Sequence, residues 1–113
     1  MKREITELKE LAGKEGPPGI VRTTMAYNDE GMFCHFDMHK GARIPMHNHP
    51  ATQIGYVISG RVRFFRKDKE AFEAVAGTSY AFASMEEHGA EVLEDSEVVE
   101  CFTPLRKEYV DNQ

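Results

Sequence analysis

The chain has 113 residues, 14 of them Lys or Arg and 19 Asp or Glu, for a formal net charge of −5. That length fits one domain with a real core and little room for a second module. The acidic balance and the lack of a basic stretch exclude nucleic-acid binding as the leading function, since nothing is available to neutralise phosphates.

The N-terminal "MKREITELKELAGKEG" is polar throughout and no apolar run approaches a membrane span. Neither a signal peptide nor a membrane anchor is expected, and a cytoplasmic location is the default. Ile5, Leu8 and Leu11 or Ala12 recur at helical spacing, so one short amphipathic helix is expected within an N-terminal arm, residues 1–17. "GKEGPPG" then breaks any helix.

From residue 18 the texture changes. "IVRTTMAY", "MFCHFDMH", "QIGYVIS", "VRFFRK", "AFEAVAG", "SYAFAS", "HGAEVLE" and "EVVECFTP" are strand-length, rich in Val, Phe and Tyr, and separated by turn residues. Strands recurring every ~8–12 residues predict an all-β sandwich or barrel over residues 18–106. No helical pattern intervenes, which argues against a parallel sheet. Residues 107–113 read as a polar tail that frays or packs across a partner. Cys34 and Cys101 form no CxxC pair and are expected as reduced, buried thiols.

One stretch carries chemistry. In "HNHPATQIGYVISG", His47 and His49 stand two apart and would share one face of a strand. Pro50 interrupts the ladder, and a hairpin return can bring Gln53 opposite the pair. His88 follows "ASMEE". Three imidazoles and one amide oxygen could then converge on a metal. Short motifs of this kind are weak alone, and a lone histidine is more often a surface or hydrogen-bonded residue. His35 and His39 are assigned to that class. Arg43, Arg61 and Arg63 read as a solvated face. Tyr56 and Tyr80 could contact a ligand or simply pack.

The spacing resembles the cupin family. Gly41, His47, His49, Gln53 and Gly60 reproduce the intervals of its first motif, with Gln in place of Glu, and His88 after Gly77 occupies the histidine of its second. The second motif's Pro, second Gly and Asn are absent, with Ala83, Met85 and Val92 in their places. The resemblance covers about residues 18 to 106 and implies a double-stranded β-helix, or jelly roll, with a metal in its mouth. The stretch is closest to the KdgF-type cupins of pectin and alginate degradation, in which the glutamine is itself a ligand. "LEDSEVVECFTPLRKEYV" is similar to the ending of that subfamily.

What the resemblance implies is specific. His47, His49, Gln53 and His88 would hold one divalent transition metal: nickel, zinc, iron, manganese, cobalt or copper. A site of neutral ligands leaves the ion's charge uncompensated and its Lewis acidity high. The expected substrate is a 4,5-unsaturated uronate, a small anionic sugar opened to its linear 5-keto form. Glu100, where relatives carry Asp, would move protons. Arg106 would pair with the substrate carboxylate. Phe102 would wall the pocket, and Tyr56 is a further substrate contact. A homodimer is implied as well. The rival readings are a cupin dioxygenase acting on a small enol or diketone, and a non-catalytic small-molecule-binding cupin.

Overall fold

The computed structural model describes residues 1–110. Eight antiparallel strands carry the chain: β1 (Lys14–Glu15), β2 (Ile20–Asn28), β3 (Gly31–Met38), β4 (Arg43–His47), β5 (Thr52–Arg66), β6 (Lys69–Val75), β7 (Ser79–Phe82) and β8 (His88–Thr103). The all-β architecture expected from the turn spacing is present, and it takes the jelly-roll form that the resemblance implies. Two long strands, β5 and β8, pair along their whole length and serve both halves of the barrel. Their outer ends add β3, β2 and β1 on one side and β7 on the other. Their remaining halves are flanked by β4 and β6.

β5 turns from one half to the other where its register to β8 slips around Ser59 and Arg61. Gly60 sits in this bend at φ +95°, a left-handed conformation that side chains resist, and a Cβ there would overlap the backbone of Asp95. Alternation along β5 is strict on the near side of the bend. Gln53, Gly55 and Val57 are buried, while Ile54, Tyr56 and Ile58 face out. Inside lie Ile20, Phe36, Val57, Val62, Phe82, Val92, Val98 and Phe102, all nearly inaccessible. Full burial of each such side chain is worth on the order of 2 kcal/mol.

The N-terminal helix is shorter than the periodicity suggests. It is one turn of 3-10 helix, Leu8–Glu10. Ile5 is 92% exposed, so the apolar stripe finds nothing to bury against. A segment this short does not hold a helix without packing. Its backbone joins the sheet edge instead: Arg3 exchanges backbone hydrogen bonds with Tyr27 at 2.9 Å, and its guanidinium reaches the carbonyls of Thr24 and Met25.

The C-terminal tail also departs from expectation. Up to residue 110 it folds back on its own barrel, through a 3-10 turn at Lys107–Tyr109. The Tyr109 ring lies 4.0 Å from the guanidinium carbons of both Arg22 and Arg106, and its carbonyl accepts a 2.6 Å bond from Thr24. The rest of the expected tail, 111–113, lies outside the described residues. Cys34 is buried as expected, with its thiol pushed up to about 12 by burial, but Cys101 is exposed on the outer face of β8. Both are free. Among the described residues, no helix is long and apolar enough to cross a membrane.

Candidate metal centre

His47 ends β4 and His88 begins β8, and the two are register partners across the sheet. His49 lies in the connection that Pro50 keeps out of the ladder. The ring centroids of the three stand 4.4–5.5 Å apart, and one nitrogen from each falls within 4.8 Å of the others. Phe82 stacks on His88 at 4.3 Å, and Phe102 meets His49 edge-on.

The remaining ring nitrogens settle the tautomers. Nδ1 of His47, His49 and His88 lies 2.9, 2.8 and 2.8 Å from the carbonyls of Pro45, Ala51 and Glu86. A carbonyl only accepts, so each Nδ1 carries the proton and each Nε2 presents a lone pair, an assignment made from the partners.

Gln53 completes the set from β5. Its Nε2 donates to Glu100 Oε2 at 2.7 Å, which directs its Oε1 toward the histidines. Oε1 lies 3.1 Å from Nε2 of both His49 and His88. With these tautomers the contacts join acceptor to acceptor, and no proton lies between them. Lone pairs converging in a buried space are stable when a cation sits among them. The Gln53 oxygen is close enough to both ring nitrogens for one ion to be shared among them. The three histidines named from the sequence therefore cluster and could hold a metal ion, with the Gln53 oxygen beside two of them.

Burial lowers the His88 pKa to about 4. His49 is lowered too, by burial and then by the nearby Arg106 charge. Both are neutral and ready to ligate near pH 7.

Glu100, on β8, is buried at 4% exposure. Burial raises its pKa, and hydrogen bonds from Tyr80 and Gln53 and the charge of Arg106 pull it partly back. Both hydrogen bonds land on Oε2. Arg106 lies over the Phe102 ring at 4.9 Å, and its Nε is buried with no hydrogen-bond partner among the described residues. His47, Gln53, His88, Glu100, Phe102 and Arg106 all line one cavity.

Tyr56 does not join them. It is 47% exposed on the outer face of β5, because it stands an odd number of residues from the inward Gln53. Tyr80 takes an inward position instead, buried beside Glu100 with its hydroxyl bonded to that carboxylate. The sequence left Tyr80 open between ligand contact and packing and gave no sign of Tyr109, which lines the cavity.

His35, Asp37 and Glu97 form a second close group on the outer face, with His35 Nε2 2.6 Å from Glu97. The buried Nδ1 of His35 has no acceptor among the described residues. It thus lacks the backbone anchor that each histidine of the main group has, and reads as a hydrogen-bonded pair. His39 is exposed, as are Arg43, Arg61 and Arg63 for the most part, with Arg61 paired to Glu73 and Glu94.

Residues 34–103 match the family model described as the cupin domain. The chain belongs to the cupin family. Among solved structures, this cupin is similar to an RmlC-like cupin from Shewanella frigidimarina, at 24% identity and TM-score 0.89 over 96% of this chain and 98% of that one. It is similar to KdgF from Halomonas sp., at 28% identity and TM-score 0.87, over 95% of this chain and 100% of that one. Ectoine synthase from P. lautus, at 14% identity and TM-score 0.80, covers 90% of this chain and 78% of its own and shares the fold. No curated protein sequence matches the chain.

Proposed function

We propose that this cupin opens the ring of 4,5-unsaturated uronate monosaccharides, giving the linear 5-keto form with the help of one divalent transition metal. The observation that carries the reading is the shared cavity. One wall offers converged lone pairs; beside them stand a buried carboxylate, Glu100, and the half-buried guanidinium of Arg106, which meets Glu108 at 3.5 Å through one terminal nitrogen while its buried Nε has no partner among the described residues. A buried donor without an acceptor is costly and suits an anionic ligand. The likeness to KdgF from Halomonas sp. agrees with the resemblance to KdgF-type cupins read from the sequence, which implies that substrate class.

When bound by His47, His49, Gln53 and His88, the metal supplies Lewis acidity to the oxygen on which charge develops. The protein's own groups do the rest. Arg106 holds the substrate carboxylate against the Phe102 wall. Glu100 takes the C1 hydroxyl proton as the bond from C1 to the ring oxygen breaks, leaving an aldehyde and an enolate. Glu100 then returns the proton to C4 as the enolate becomes the 5-ketone. No atom is gained or lost, so the step is an isomerisation. Phe102 and the Tyr109 ring keep water from the enolate.

A homodimer stays part of this reading. Ile54, Tyr56 and Ile58, apolar and exposed on one strand face, support it, and light scattering tests it.

The deciding experiment follows 4,5-unsaturated galacturonate by NMR with native, chelator-stripped and metal-restored protein, against spontaneous opening. Acceleration that disappears on stripping and returns with metal is expected. No acceleration by metal-loaded protein would refute the uronate reading and turn the search to oxygen-consuming chemistry.

A further inference from the structure

Tyr80, Gly55 and Glu100 form one row across three strands. Gly55 on β5 is the register partner of Tyr80 on β7 and of Glu100 on β8. All three positions face inward. Gly55 has no side chain to separate its neighbours, and a Cβ there would overlap the Tyr80 ring. The ring therefore lies across the glycine and delivers its hydroxyl to Glu100 Oε2. The same oxygen accepts Gln53 Nε2. An amide has one donating and one accepting end, and the end that donates to Glu100 decides which end meets the histidines.

We propose that Tyr80 is a positioning residue of the metal centre, acting through Glu100 to fix the Gln53 amide with its oxygen toward the metal. The inference rests on the reading of His47, His49, Gln53 and His88 as metal ligands. It also gives the amide at position 53 a reason that a carboxylate would not satisfy. Gln53 is acceptor to the metal and donor to Glu100 at once. A tyrosine locked by ring packing against Phe64 at 4.4 Å and Phe82 at 5.4 Å is a rigid anchor for that chain.

The test is cobalt(II) titration of metal-free protein, reading affinity by chelator competition and the visible d–d spectrum. Tyr80→Phe keeps the ring and removes only the hydroxyl. It should bind one equivalent about tenfold more weakly, with a changed spectrum, as loss of outer hydrogen bonds to metal ligands does. Glu100→Ala should weaken binding by about 10–100-fold. Glu100→Gln retains an acceptor and should stay near wild type in affinity. Gly55→Ala, which displaces the ring, should match Tyr80→Phe. Wild-type affinity and spectrum in Tyr80→Phe would overturn the inference while leaving the metal centre intact. Wild-type affinity in His88→Ala would instead overturn the ligand set itself, and the inference with it. Because none of these readings uses a sugar, failure of the uronate activity leaves the result standing.

Discussion

Gln53→Glu puts the role of the amide to a quantitative trial. In the wild type, the Gln53 nitrogen lies 2.7 Å from Glu100 Oε2. A glutamate would place a second carboxylate oxygen there. Two unit charges at that separation repel by about 6 kcal/mol at an effective dielectric of 20. That is about four pKa units. The pair must then hold one proton at neutral pH, as close carboxylates do. The folded-state pKa of one member rises above its unfolded value near 4.3. Stability from that retained proton is present at low pH and is lost as pH rises toward the folded pKa. The stability gap between wild type and variant should widen by about 1.4 kcal/mol per pH unit once the wild-type Glu100, itself raised by burial, has ionised. For a chain of this size that is about 6 °C in Tm per unit. Thermal denaturation of metal-free protein in steps from pH 5 to 8 measures it. A gap that stays constant over that range would refute the claim that Gln53 and Glu100 meet as drawn. Turnover at pH 7 should also fall, since the proton occupies the group that must accept one.

Other outcomes follow from the same geometry. His88→Ala and His49→Ala should each leave the dialysed protein without bound metal by elemental analysis, whereas His35→Ala should leave the content unchanged. Metal-free wild type should lose stability as pH falls from about 6.5 to 4. His49 and His88 are lowered in the folded state, so the unfolded chain binds protons that the fold refuses, and His88 alone accounts for a loss of up to about 3 kcal/mol, readable by urea titration at each pH. Arg106→Lys keeps the charge but not the planar fork and should raise KM for the uronate about tenfold with little change in kcat in steady-state assays. Glu100→Gln should keep its metal and lose at least about a hundredfold in kcat.

Much of the candidate metal centre was legible because its residues lie in short, regular spacings. His47 and His49 share a face by strand parity, and the return through Gln53 needs only a hairpin. His88 was placed by family spacing, since a contact from β8 to β4 leaves no local trace. Parity was equally able to exclude Tyr56, which is three residues from Gln53 and so must face away. Tyr80 was harder. Its link to Glu100 crosses a third strand and exists because residue 55 is a glycine. An isolated Gly within a strand does signal close approach of another group, but not which group. The N-terminal arm shows the opposite case. Its helical periodicity is real, yet periodicity fixes structure only where a surface waits to receive the stripe. Ile5 meets solvent.

The three imidazoles are oriented by carbonyls of Pro45, Ala51 and Glu86, each two residues from the histidine it holds. These anchors belong to the main chain, so no side-chain replacement at positions 45, 51 or 86 removes the acceptor itself. The centre is thereby robust to drift in residue identity and fragile to changes in chain length. Deleting or inserting one residue between an anchor and its histidine would turn the ring away from the others, while the surrounding sequence could diversify widely and still present the same three lone pairs.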